Sequence, residues 1–273
     1  MLFIELLKSA FFGVIQGITE WLPISSTGHM ILADEFIKLN VTTDFMNLFL
    51  VVIQFGSILA VLVLFFHKLN PFSPKKSKIE KRDTFSLWGK VIAAVVPAGI
   101  IGIFFEKQID ALFFNPITVA TTLIVYGILF IVLENRKTRP SITNFHDMSY
   151  KTALMIGVFQ VLSLIPGTSR SGATILGAVL LGASRYVAAE FSFFLAIPVM
   201  LGASALKIAK HGLGFTGAEW AILLTGMVVA FVVSLIAIKF LLEYIKKHNF
   251  KVFGYYRIIL GVIVVLYFLV FAR

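Results

Sequence analysis

Six stretches of the chain stay apolar long enough to cross a hydrocarbon core, which needs about 20 helical residues: 45–66, 85–105, 116–133, 186–206, 219–242 and 253–272. Two further apolar regions, 2–39 and 150–181, behave differently, because proline, glycine and a cluster of hydroxyl residues divide each near its middle. Each is predicted to form two short helices joined by a polar break and to return to the side it entered from. Residues 1–22 are apolar enough to suggest a secretory leader. However, Glu5, Lys8 and Gln16 interrupt the run and no small-residue cleavage site follows, so they are expected to belong to the mature chain.

The two broken regions match each other. Laying 13–32 over 157–176 without a gap, an offset of 144, pairs Gly13 with Gly157, Val14 with Val158, Gln16 with Gln160, Ser25 with Ser169, Gly28 with Gly172, Ile31 with Ile175 and Leu32 with Leu176. This is the signature of an internal duplication. Each half then holds one broken pair followed by three spans, and an odd number of crossings inverts the second half. The expected fold is an all-α polytopic membrane protein with six transmembrane helices plus two broken re-entrant helix pairs, arranged as an inverted-topology repeat. Residues 1–142 form the first repeat and 143–273 the second, within one integrated membrane domain.

Composition agrees: 59% of the 273 residues are hydrophobic and only 14% charged, far from the mix of soluble domains. The net charge of +10 does not point to nucleic acid, because the basic residues lie in short clusters between apolar runs and no RNA- or DNA-binding module is visible. Those clusters alternate along the chain. Lys68, Lys75, Lys76, Lys78, Lys81 and Arg82 follow the first span; Arg136, Lys137, Arg139 and Lys151 follow the third; Lys246, Lys247 and Lys251 follow the fifth. The opposite loops carry only Lys107 in one case and Lys207 and Lys210 in the other. By the positive-inside rule the richer loops are cytoplasmic, both termini face outward, and the two broken pairs enter from opposite sides. The absence of cysteine excludes disulfides, thiolate metal sites and cysteine nucleophiles, leaving hydroxyl, imidazole and carboxylate chemistry.

Non-helical backbone at membrane depth is tolerated only where protein or a polar cavity satisfies it. In the first break, Pro23 precedes Ser25, Ser26, Thr27, Gly28 and His29; in the second, Pro166 and Gly167 precede Thr168, Ser169, Arg170, Ser171 and Thr174. The proline ends one helix and the hydroxyl residues are natural N-caps for the next. Two helix N-termini then point free amides and positive dipole ends into the protein, the environment in which a phosphate binds, and Arg170 adds a fork of donors suited to its oxygens. Gln16 and Glu20 share a helical face shortly before Ser26 and His29. A carboxylate, a hydroxyl, an imidazole and a guanidinium suit phosphoryl chemistry, in which a hydroxyl or imidazole attacks and a carboxylate or imidazole moves the proton.

Plainer uses compete with these roles. Ser25, Thr27, Thr168 and Ser171 suit capping and packing equally well, Glu20 and Arg170 suit a buried ion pair, and Gln16 suits a supporting hydrogen bond. Gly13 and Gly17 fit close helix packing. His67, His146, His211 and His248 are expected to lie in solvated loops, and Asn40, Val41 and Thr42 form a weak glycosylation sequon.

At the two breaks the sequence resembles the BacA-type undecaprenyl-diphosphate phosphatases, integral membrane enzymes of the bacterial envelope. The marks are Gln16 to Glu20 with Ser25, Ser26, Thr27, Gly28 and His29, and the element from Pro166 to Thr174. Supporting blocks run over 52–57 and 184–192, and the similarity extends over essentially the whole chain. The resemblance implies hydrolysis of the C55 polyprenyl diphosphate to the monophosphate, recycling of that carrier for wall polymers, and bacitracin resistance. It also implies a divalent cation, Mg²⁺ or Ca²⁺, placed by analogy near Glu20. Many members have Glu where this chain has Gln16, which weakens any mechanism with two carboxylates on a metal.

The working scheme has Arg170, Ser169 and Thr174 holding the diphosphate together with the helix amides, Ser25, Thr27, Ser171 and Gln16 lining the site, Ser26 or His29 attacking, and Glu20 positioning metal or proton. Expected partners are the lipid substrate and membrane lipids of the bacterial inner (plasma) membrane, with no nucleic acid; a homodimer is among the assemblies open to the chain. The same inverted repeat also suits a lipid flippase or secondary transporter. The other lipid-phosphatase superfamily fits poorly, since no Lys-x6-Arg-Pro element precedes the first break and no histidine follows Arg170 at the needed spacing.

Overall fold

The computed structural model describes residues 2–136, 138–212 and 214–270. Lys137 and the last two residues of the sixth expected span lie outside them, as does the side chain of His211.

Among the described residues the regular structure is helical, apart from a single isolated bridge between Ile142 and Ala183. Its helices are α1 (Leu2–Thr19), α2 (Ser26–Phe36), α3 (Thr43–Leu64), the single turn α4 (Phe66–Leu69), α5 (Lys78–Phe113), α6 (Pro116–Asn135), α7 (Tyr150–Val161), α8 (Arg170–Leu180), α9 (Arg185–His211), α10 (Gly217–Lys247) and α11 (Lys251–Val270). A short 3₁₀ turn, Leu162–Leu164, prolongs α7. All six expected spans are present, as α3, α5, α6, α9, α10 and α11. Several outrun the apolar stretch that predicted them; α5 reaches 36 residues because its charged first turns continue the helix beyond the apolar part.

Both predicted breaks are real, one between α1 and α2 and one between the 3₁₀ turn and α8. One difference concerns the first pair. Its leading helix α1 is 18 residues long with mean hydropathy 1.4, so seven described helices, not six, are long and apolar enough to cross a membrane. A second concerns the histidines: His67 lies in α4 and His211 ends α9, neither in a loop, although His67 is exposed as expected.

Packing brings the two breaks together. α1 lies along α10, α7 along α5, α6 along α11, and α3 against both α9 and α10. Small residues permit the closest of these approaches. A Cβ on Gly13 would stand 2.6 Å from the Gly226 carbonyl oxygen of α10, and one on the aligned Gly157 would collide with the backbone of Ala94 in α5. The Gly13 and Gly17 pair therefore serves helix contact, as its spacing predicted. The largest apolar cluster surrounds the breaks, with Trp21, Ile24, Ile175, Leu176, Phe191 and Phe193 among its buried members. Trp21 is fully buried and meets Phe193 edge-on at 5.3 Å.

Candidate active site

Each break places a serine where the chain turns into its second short helix. Ser25 and Ser169 are the N-caps of α2 and α8, and their side-chain oxygens accept the amides of Gly28 at 3.3 Å and Gly172 at 3.2 Å. Capping engages one of the four amides that a helix start leaves unpaired. The remaining amides of α2 and α8, with the positive ends of their dipoles, begin at Ser26 and Arg170.

Four sequence-predicted residues converge there. Glu20, 5% exposed, accepts Gln16 Nε2 and Ser26 Oγ on its Oε2, both at 2.9 Å, while its Oε1 meets Arg170 Nη2 at 3.1 Å. The ion pair thus joins the first break to the second. Arg170 is further held by Ser192 of α9, whose carbonyl and hydroxyl oxygens accept Nη1 at 2.5 and 3.1 Å. Its guanidinium lies 5.8 Å from the Trp21 ring, and its Nε is buried with no partner in the protein. That Nε–H is a donor at the tip of the second break which the protein itself does not use.

The other predicted residues divide. Thr174 is buried, donates to the Arg170 carbonyl at 2.8 Å and shares a hydroxyl contact of 2.7 Å with Ser192. Ser171 donates to the Leu22 carbonyl at 3.3 Å and contacts Ser169 Oγ at 3.1 Å. These hydroxyls, with the two caps, fasten the breaks. Thr27 is exposed beside them. His29 turns away from the carboxylate: Nδ1 donates to the Ser25 carbonyl at 2.7 Å, which leaves Nε2 as the acceptor of the Tyr256 hydroxyl at 2.6 Å.

Two residues of α11 and one of α9 were not anticipated from the sequence. Tyr256 partners His29. Arg257 is fully buried and donates Nη1 to the Pro23 carbonyl at 3.2 Å and Nη2 to the carbonyls of Gly167 and Thr168 at 2.9 Å each, with its guanidinium 5.4 Å from the Tyr126 ring. It therefore grips both breaks at once. An arginine inside an apolar span was the available signal, because charge at membrane depth marks function. Ser192 carried no such signal.

The donor set does not suit a divalent cation held by the protein. Among the described residues no three His, Asp or Glu side chains converge. Glu20 is the lone carboxylate of the cluster described above, and both of its oxygens are engaged. Dedicated divalent sites gather several oxygen ligands.

The family model for bacitracin resistance protein BacA matches residues 9–263. Among curated proteins, undecaprenyl-diphosphatase 1 of Clostridioides difficile is 66% identical over 97% of both chains. The undecaprenyl-diphosphatase of Lachnoclostridium phytofermentans is 63% identical over 98% of each, and that of Enterococcus faecalis 62% identical over 98% of this chain and 99% of its own.

Proposed function

The chain belongs to the BacA family of bacitracin resistance proteins, and from that premise we propose that it hydrolyses undecaprenyl diphosphate to undecaprenyl phosphate and inorganic phosphate. The activity regenerates the lipid carrier of cell-wall synthesis and lowers the amount of diphosphate that bacitracin can sequester. The transport alternative has no support among these relatives.

The observation that carries the mechanism is the contact of Ser26 with Glu20, itself paired to Arg170 across the two breaks. A hydroxyl within hydrogen-bond reach of a carboxylate oriented by a third group is the geometry of an activated nucleophile. Ser26 Oγ attacks the terminal phosphorus and its proton passes to Glu20 Oε2. The bond from that phosphorus to the bridging oxygen breaks, and the prenyl phosphate leaves with the electron pair. Water then attacks the phosphoserine and gives one proton to the departing Ser26 oxygen while the other stays on phosphate. Glu20 returns to carboxylate as phosphate departs with its proton. Arg170, through its unpartnered Nε and its positive charge, and the first amides of α2 and α8 stabilise the charge that develops on the phosphoryl oxygens.

His29, engaged through both nitrogens with Ser25 and Tyr256, fits a supporting role better than that of nucleophile. Ser25, Ser169, Ser171 and Thr174 shape the cradle. Since the residues do not form a metal site, the divalent cation is proposed to arrive on the diphosphate and not to reside in the protein.

The exchange of packing partners, α1 on α10 and α7 on α5 with α6 on α11, supports the reading of 1–142 and 143–273 as inverted repeats. The lysine and arginine distribution supports a plasma-membrane topology with both termini outside.

The test is phosphate release from C55 diphosphate by the purified chain, followed by rapid quenching. An acid-stable phosphoserine is expected. An acid-labile phosphohistidine, or full turnover by Glu20→Ala, would overturn the scheme.

A further inference from the structure

One buried amide takes no part in this mechanism. Gln160, near the end of α7, is the residue aligned with Gln16. Gln16 has Glu20 four positions later to accept its amide, whereas the residue four after Gln160 is Leu164. The second half kept the amide and has no carboxylate at that place. Gln160 is 1% exposed, and neither Nε2 nor Oε1 has a hydrogen-bond partner in the protein. Each such unmet group carries a desolvation cost, which a ligand with a donor and an acceptor offsets.

Gln160 lines a cavity of about 610 Å³ bounded by α3, α5, the 3₁₀ turn and α9. This falls within the size range of small-ligand sites. The walls are mostly apolar, Val51, Val95 and Ile103 among them, with Ser163 beside Gln160 and the ammonium-bearing side chain of Lys207 also on the lining. Cβ atoms built on Gly99 and Gly202, two further lining residues, meet nothing within 4 Å. The cavity is continuous with the catalytic elements. The 3₁₀ turn that borders it leads directly to Arg170, and α9 carries both Ser192, which holds Arg170, and Pro198 of the cavity wall, about 9 Å further along the helix.

We infer that this cavity is a second lipid site, distinct from the Glu20 and Ser26 cluster, that takes a prenyl phosphate monoester. The inference rests on the function proposed above, whose lipid product belongs to that class. Near neutral pH a phosphate monoester keeps a fraction of P–OH, its second pKa being about 6. That hydroxyl donates to Gln160 Oε1, and the phosphate oxygens accept from Gln160 Nε2, with Lys207 on the same lining as a source of positive charge. A phosphatidylcholine, whose phosphodiester has no P–OH and whose head group has no other donor, would leave Oε1 unmet. The apolar walls hold the isoprene units next to the head, and the remainder of the chain lies in the bilayer.

The test counts lipids on the full chain in detergent by native mass spectrometry, with C55 monophosphate as probe and dioleoyl phosphatidylcholine as the competing arm. The expected result is two bound monophosphates per wild-type chain and one in Gly202→Leu or Gly99→Leu, which add bulk at lining positions where a Cβ meets nothing within 4 Å. Gln160→Leu is expected to weaken the second binding about tenfold. Hydrolysis of a soluble C15 diphosphate, which needs only the catalytic cluster, should be unchanged in both glycine variants. A single monophosphate on the wild type, two on the glycine variants, or equal occupancy by phosphatidylcholine would overturn the second site. Failure of the wild type to release phosphate from C55 diphosphate would instead overturn the function on which it rests.

Discussion

Ser25 and Ser169 hold the same left-handed backbone, with φ of 74° and 71°, and they are the only non-glycine residues with positive φ among those described. Each stands one residue before a helix, and each caps the glycine three positions later. Such a conformation costs about 1–3 kcal/mol and persists where its surroundings over-determine it. Here His29 holds the Ser25 carbonyl, and Arg257 grips the two carbonyls just before Ser169. The strain turns the chain sharply enough for Ser26 and Arg170, the next residues, to face one carboxylate.

Glycine at position 169 relieves the strain while losing the cap, whereas alanine loses the cap and keeps the strain. Loss of an N-cap to alanine costs about 1 kcal/mol and to glycine only a few tenths. Thermal unfolding in detergent should therefore rank Ser169→Gly near the wild type and Ser169→Ala clearly below it. The same order is expected at Ser25, and the reverse order at either site would show that φ does not control the turn.

Glu20→Gln should remove the proton acceptor of Ser26 and leave Arg170 buried without its carboxylate. Turnover is expected to fall by about 10²–10⁴, the range for loss of a positioned acid or base, and stability by about 3–5 kcal/mol, as for a broken buried pair. Arg170→Lys keeps the charge but cannot reach Glu20 and Ser192 as a fork, so a comparable loss of turnover is expected. Steady-state rates and denaturation midpoints check both.

Arg257 acts on geometry through three backbone carbonyls. Arg257→Lys preserves charge but cannot span Pro23 and the Gly167 and Thr168 pair, so kcat should fall about tenfold or more even where the variant folds. Rates close to wild type in the lysine variant would mean that its charge alone matters.

Tyr256→Phe leaves His29 Nε2 without its donor while Nδ1 still donates to Ser25. With Ser26 as nucleophile, the trapped phosphoenzyme stays acid-stable and only the pH profile of kcat moves. A phosphoenzyme that becomes acid-labile would contradict that assignment.

Elsewhere in the fold, Lys68 Nζ meets Glu190 Oε2 at 2.7 Å, with Glu190 almost wholly buried and Lys68 half exposed. Lys68→Met should destabilise the fold by about 1–3 kcal/mol, since a buried carboxylate then lacks its partner. Adding Glu190→Gln should recover much of that loss, which a double-mutant cycle of unfolding midpoints measures.

Much of this architecture is written locally. Six apolar runs became the spans α3, α5, α6, α9, α10 and α11, and the proline and hydroxyl clusters became helix ends with serine caps, because helix length and capping depend on neighbours in sequence. The pairing of Gln16 with Glu20 was likewise legible, being a contact between successive turns of helix. The span-length helix in the first broken region, α1, was not, since Glu5 and Lys8 interrupt it without making it too polar to qualify.

The residues proposed to carry the chemistry were visible as types and invisible as partners. Sequence alone named Glu20, Ser26, His29 and Arg170, and left Ser26 and His29 equal. The contacts that favour Ser26 in the proposed scheme are tertiary: α11 delivers Tyr256 to His29, while α8 delivers Arg170 to Glu20 across 150 residues. Arg257 and Ser192 took their roles the same way, from helices whose approach depends on glycine contacts and packing far from either break. The sequence determined the hydrophobic segments, their breaks and the phosphate-seeking residues, because these follow from short-range pattern and solvation. Which side chain meets which was left to the packing of the helices, because a hydrogen bond needs a partner within about 3 Å and no local rule sets that distance between distant segments.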